Sequence, residues 1–182
     1  SCGRMPLASE IYLMNDWQLF MKSKTVYFIY NAYYDNRDLL DVPVVRLLAF
    51  SNSNSSDDKF ICQMWFEGKD TPLESPVKDQ EKLNNRSLND DDDDSHPFML
   101  TCKAPSNQVP TYVSLVSKSC EQAHNLIYVA NNQPANGIVK DFLVVVRDLN
   151  DDEEDKSSQI VEWLEILKEL GVSNVHFYVT KA

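Results

Sequence analysis

Phe142-Leu143-Val144-Val145-Val146 is the run on which the reading of this chain turns. It is short, continuously apolar and rich in β-branched side chains, with Lys140, Asp141 and Arg147 bounding it, and it predicts an interior strand. Five consecutive acids follow at residues 151–155, beside which Ser157 or Ser158 can cap a helix whose positive N-terminal end favours negative charge. Ile160, Trp163, Leu164, Leu167 and Leu170 fall at the spacing of one apolar helical stripe, while Glu162, Glu165, Lys168 and Glu169 mostly take the remaining arc. Gly171 supplies a left-handed stop, and Val175-His176-Phe177-Tyr178-Val179 reads as a second apolar strand. The order is β-α-β, which predicts two parallel strands joined by a right-handed crossover. Units of this kind open nucleotide-binding α/β sheets, but their spacing alone assigns no ligand.

Upstream the chain is read as strands without a helix. Residues 25–30, 42–50, 59–66, 98–103, 111–117 and 126–129 are rich in β-branched and aromatic side chains between turn-forming clusters. Residues 42–50 and 59–66 read as a hairpin-like pair about a polar loop. Trp17, Leu19 and Phe20 anchor a strand or turn near the start, and residues 68–97, with Pro72 and Pro76, read as a long irregular loop. Pro134 and Gly137 mark a linker at residues 131–137. The expected class is α+β, an antiparallel, sandwich-like β-rich region leading into the β-α-β unit.

The net charge of −11 is concentrated in two tracts, residues 90–94 and 151–155; with those ten acids set aside, 18 acids stand against 17 bases. A basic nucleic-acid-binding face is therefore not expected. No apolar run reaches the roughly 18 residues of a membrane-spanning helix. Four glycines leave no Gly-rich phosphate cradle, and His96, His124 and His176 lack carboxylates at metal-ligand spacing. Cys2, Cys62, Cys102 and Cys120 contain no CxxC pair. In an oxidising compartment a bridge between Cys62 and Cys102, each in an expected strand, is the first choice, with free buried thiols the alternative. Asn54-Ser55-Ser56 and Asn85-Arg86-Ser87 have the form of N-glycosylation acceptors.

Ile160-Val161-Glu162-Trp163-Leu164-Glu165, Leu170-Gly171-Val172 and Val175-His176-Phe177-Tyr178 together resemble the VEW-E, LGV and FY signature of glycosyltransferase family 92, formerly a domain of unknown function. Ala32-Tyr33-Tyr34-Asp35-Asn36-Arg37 is similar to that family's AYYDNR motif, and Cys62, Gln63, Trp65 and Phe66 to its cysteine followed by Trp-Phe. The resemblance covers these three spaced blocks, of which the last in the chain is the most specific. It implies transfer of a hexose, galactose, from a UDP-sugar to a glycan acceptor by a type-A glycosyltransferase domain. It further implies a Golgi-lumenal type II membrane protein with its anchor upstream, and a divalent metal, manganese, in the full-length protein.

On this reading residues 1–135 are the β-rich region and residues 136–182 the truncated start of the nucleotide-sugar-binding domain. The chain then reads as an N-terminal fragment, inactive alone, binding no metal itself, with its metal motif and catalytic carboxylates beyond residue 182. Residues 90–94 contain D-x-D in form, but five adjacent like charges read as a solvated tract. Arg147 and Asp148, at the carboxyl end of the first parallel strand, are the candidates for diphosphate and ribose, or Arg147 pairs with the acidic turn. Tyr34, Asp35, Arg37 and Trp65 are the acceptor candidates. Asp35 and Arg37 alternatively hold a turn, and Trp65 is alternatively core. A second reading makes the chain a non-enzymatic secreted β-sandwich that holds a glycan or a protein through Tyr33, Tyr34 and Trp65.

Overall fold

The computed structural model describes residues 2–15, 17–22, 24–52, 59–83, 96–131, 142–146 and 156–178. The chain divides into two compact units, Ser1–Asn132 and Gln133–Ala182. The first holds β1 (Leu13–Met14), β2 (Trp17–Lys22), β3 (Thr25–Asp35), β4 (Val44–Ser51), β5 (Ile61–Trp65), β6 (Leu73–Lys82), β7 (His96–Lys103), β8 (Tyr112–Val116) and β9 (Ile127–Ala130).

β3 is the strand that closes this unit. One of its edges pairs antiparallel with β4 along most of its length. Its other edge is shared: residues 25–29 take β2, and Ala32 and Tyr33 take Val129 and Ala130 of β9 in parallel. The circuit β3-β4-β7-β6-β5-β8-β9 then returns to β3, a closed seven-strand barrel with β1 and β2 as an added flap. Closure removes the free edges that a sandwich of the same strands would leave.

Alternation along β4 shows how the sequence fills this barrel. Val45, Leu47 and Ala49 are fully buried, whereas Arg46, Leu48 and Phe50 lie on the outer face. Tyr27, Ile29, Leu47, Met64, Phe98, Leu100 and Leu115 are among the side chains of the interior. Phe20, Tyr27 and Phe60 meet at ring-centroid distances of 4.9 to 6.0 Å, in tilted and edge-to-face pairs.

Two irregularities shape the outer surface. In β3 the register shifts between Ile29 and Asn31, leaving Tyr30 as a bulged residue. Because a strand alternates with period two, the bulge changes which parity faces inward: Tyr27 and Ile29 before it, Ala32 and Tyr34 after it. Tyr33 and Asp35 are thereby sent outward. In β6 residues 73–76 pair with β5 and residues 77–82 with β7, with a second shift between Val77 and Asp79. Pro76, which has no amide hydrogen, stands where the strand changes neighbours. Cys62 and Cys102, opposite Ser75 and Val77 of β6, are joined by a disulfide across this corner at a Cα separation of 6.4 Å.

The second unit contains β10 (Phe142–Val146), α1 (Ser157–Glu169) and β11 (Val172–Phe177). β10 and β11 run parallel, Val144 opposite Val175 and Val146 opposite Phe177. Trp163 meets Phe177 edge-on at 6.4 Å between centroids, and Ile160, Leu164 and Leu167 are half-buried. Gly171, at φ +86°, ends the helix in the left-handed region where a side chain would be strained. Lys156, rather than Ser157 or Ser158, stands at the N-cap, without a capping side-chain bond.

These observations correct the expected class. The chain is mostly β, a closed barrel with one helix among the described residues, and not an α+β sandwich followed by the start of a type-A glycosyltransferase domain. β10 and β11 pair only with each other among the described residues, so the second unit is no Rossmann-like sheet. The hairpin expected from residues 42–50 and 59–66 is also absent: β4 lies between β3 and β7, and β5 between β6 and β8. Residues 73–82, read as irregular, form β6. The linker at residues 131–137 falls almost wholly outside the described residues, as do residues 90–94 and 151–155.

Candidate functional site

The bulge in β3 brings a charged row to the outer wall of the barrel. Tyr33 lies opposite Arg46 of β4, Arg46 opposite Thr101 of β7, and Thr101 opposite Asp79 of β6. Side chains on one face of neighbouring strands stand about 5 Å apart, so the row is continuous. An open groove of about 420 Å³ lies along the Arg46–Thr101–Asp79 part of it, lined also by Lys78, Gln80 and Glu81 and by the apolar Leu40 and Val44.

Asp35 organises the head of this row. Its carboxylate accepts Arg37 Nε at 2.9 Å and Nη2 at 2.7 Å, and Arg46 Nε at 3.0 Å. The Arg37 guanidinium, and after it the Arg37 backbone N–H and Arg46, hold the Asp35 carboxyl well below the usual range despite its burial. A depressed carboxylate contributes stability that is present above its ordinary value and is lost as pH falls below about 4 toward the depressed value. Asp35→Asn is therefore expected to lower unfolding free energy by about 1–2 kcal/mol at pH 7. The difference from the parent should shrink as urea midpoints are measured from pH 5 down to pH 2. A pH-independent difference would show that charge is not what Asp35 contributes.

The other acceptor candidates lie elsewhere. Tyr34 points into the barrel, 9% exposed, and burial pushes its hydroxyl pKa up. Trp65 is 0% exposed and donates Nε1–H to Ser114 Oγ at 3.0 Å, so its ring offers no face to a sugar. The structure thus brings Asp35 and Arg37 together on the surface and separates both from Tyr34 and Trp65. Arg147, Asp148, Asn54 and Asn85 lie outside the described residues.

The non-interior face of β5, which carries Gln63 and Trp65, is reached at Gln63 by the segment after β8. Gln63, on the same face, donates to Glu74 at 3.1 Å and to the Glu121 carbonyl at 2.9 Å. Asn125 spans Leu115 like a piece of strand, accepting its N–H at 2.7 Å and donating to its carbonyl at 2.9 Å. Burial pushes the Glu74 pKa up, but hydrogen bonds from Ser119 Oγ, Cys120 N–H and Gln63 outweigh it and leave the pKa lowered. The Cys2–Cys120 disulfide ties the N-terminal segment to this cover.

The manganese that the family resemblance implies finds no free ligand set among the described residues. Among the described residues the grouping of metal-binding side chains is Cys2, Glu74 and Cys120, and both cysteines are committed to their disulfide. Among the described residues no helix is long and apolar enough to cross a membrane.

Arg46, Lys78, Asp79 and Thr101 were not legible as site residues. Arg46 interrupts the apolar run Val44-Val45-Arg46-Leu47-Leu48, the one signal that marked an outward charge, whereas Asp79 sits in a strand whose composition hides it. No family model, curated protein or solved structure matches the chain.

Proposed function

We propose that this chain is part of a glycosyltransferase of the family 92 type, one that moves a hexose, galactose, from a UDP-sugar to a glycan acceptor. The observation that carries the reading is the meeting of separate motif blocks: Trp163, from the VEW-like block, packs on Phe177, from the FY-like block. Two disulfides among the described residues support an oxidising compartment, extracellular or lumenal, and the Golgi lumen is the one this reading adopts. The catalytic groups and any metal site are assigned to none of the described residues. The barrel's part is to hold, not to react: no described cluster pairs a base with a developing oxyanion or leaving group.

The test is transfer of labelled hexose from UDP-galactose and UDP-glucose, with manganese present, to a mixture of glycan acceptors. The whole polypeptide encoded by the gene should transfer one of these sugars, and residues 1–182 alone should transfer none. A folded whole protein that transfers neither sugar would overturn the reading.

A further inference from the structure

We propose that the groove along Arg46, Thr101 and Asp79 is a binding site for a neutral hexose oligosaccharide. In the transferase reading this ligand is the acceptor glycan; that role rests on that reading, whereas the binding does not.

Among the described residues, Lys78, Asp79, Glu81 and Thr101 make no side-chain hydrogen bond or ion pair with the protein, so their bonding capacity is open to a ligand. Arg46 is held in place by its Nε bond to Asp35, while its Nη1 meets only Met99 Sδ at 4.0 Å. The guanidinium is therefore oriented on one side and open on the other. All of these groups stand on strands, which hold side chains more firmly than loops do.

Charge then selects the ligand class. Two cations, Arg46 and Lys78, share the lining with two anions, Asp79 and Glu81, so it is formally neutral. A sulfate or phosphate carries acceptors only and would meet two carboxylates; an ammonium carries donors only and would meet two cations. A sugar hydroxyl both accepts and donates, so adjacent hydroxyls can bridge a cation to a carboxylate without a net charge to desolvate.

Size agrees with this assignment. The volume of about 420 Å³ falls within the ordinary range of small-ligand sites, about 300–1,000 Å³. From Arg46 through Thr101 to Asp79 the groove crosses two inter-strand steps, about 10 Å, the reach of a disaccharide rather than of one monosaccharide.

The experiment uses the 182-residue chain and an array of neutral di- and trisaccharides of galactose, glucose and mannose, beside sulfated and sialylated forms of the same cores. Calorimetry follows on the best neutral binder, for the parent, Asp79→Ala and Lys78→Ala. Both positions are exposed on β6, so thermal midpoints should be unchanged. The expected result is binding of neutral forms in preference to their anionic counterparts, weakened tenfold or more by Asp79→Ala. Absence of neutral binders, equal or tighter binding of the anionic forms, or a loss smaller than tenfold would overturn the proposal. No UDP-sugar is present, so a failure here leaves the transfer test standing, and the reverse also holds.

Discussion

Trp65→Ala should lower the unfolding free energy by about 3–5 kcal/mol, the cost of deleting a large, fully enclosed ring. Two effects add. The indole leaves a void among neighbours held by the β-ladder on both sides of β5, to β6 and β8, which limits how far the site can collapse. Its Nε1–H also satisfies Ser114 Oγ, on a residue that is itself without exposure, and the hydroxyl would lose that partner. Trp65→Phe separates the two effects: it keeps most of the volume and removes the hydrogen bond, for an expected loss of about 1–3 kcal/mol. Urea unfolding followed by circular dichroism measures both variants. If Trp65→Ala instead cost under about 1 kcal/mol while abolishing glycan binding, the ring would be a ligand platform and not part of the fold.

Much of the secondary structure could be read from local pattern, because alternation and β-branching report on a strand's own two faces. Val45, Leu47 and Ala49 against Arg46 and Leu48 is such a case; the helix is another, although of its expected stripe only Ile160, Leu164 and Leu167 are half-buried, while Trp163 and Leu170 are exposed. Pairing Cys62 with Cys102 was likewise within reach, since both stand in strands with apolar neighbours. Closure was not legible. Whether seven strands make a sandwich or a barrel depends on the second half of β3 meeting β9, a contact made by Ala32 and Tyr33 with residues nearly a hundred positions away. Nothing in the composition of either strand encodes that pairing.

The bulge at Tyr30 explains the misreading of the site. Without it, Tyr34 falls on the same outward parity as Tyr30, and the Tyr-Tyr-Asp-Asn-Arg run looks like a polar turn following a finished strand. With it, the strand continues to Asp35, Tyr34 enters the core, and Asp35 comes within reach of Arg46. β6 was hidden for a different reason. Leu73-Glu74-Ser75-Pro76-Val77-Lys78-Asp79-Gln80-Glu81-Lys82 has a proline and five charges, because its long outer face is solvated and its pairing partner changes midway. Half the groove was therefore assigned to a loop.

Replacing both Cys62 and Cys102 by alanine should cost about 4 kcal/mol, the value expected from chain entropy for a loop closed over 40 residues. The same estimate applied to Cys2–Cys120, separated by 118 residues, gives a larger number, near 5 kcal/mol. Location reverses that order. Cys62 and Cys102 hold β5 and β7 together where β6 passes from one to the other, so the bond restrains the barrel's corner, and alanine at both fully buried positions also leaves the space of two sulfur atoms unfilled in the core. Cys2 restrains only a terminal segment, which keeps other ties to the same cover: Tyr12 N–H donates to the His124 carbonyl at 2.8 Å, Tyr12 stacks on the His124 ring at 4.5 Å, and Gln122 Nε2 reaches the Arg4 carbonyl at 3.4 Å. Cys2→Ala with Cys120→Ala is accordingly expected to cost less than the core pair, with fraying confined to the terminus in hydrogen exchange. Urea midpoints of the two double variants decide the matter. If the Cys2–Cys120 pair proves the more costly, loop length rather than position in the barrel governs, and the corner at β6 is held by its ladder alone.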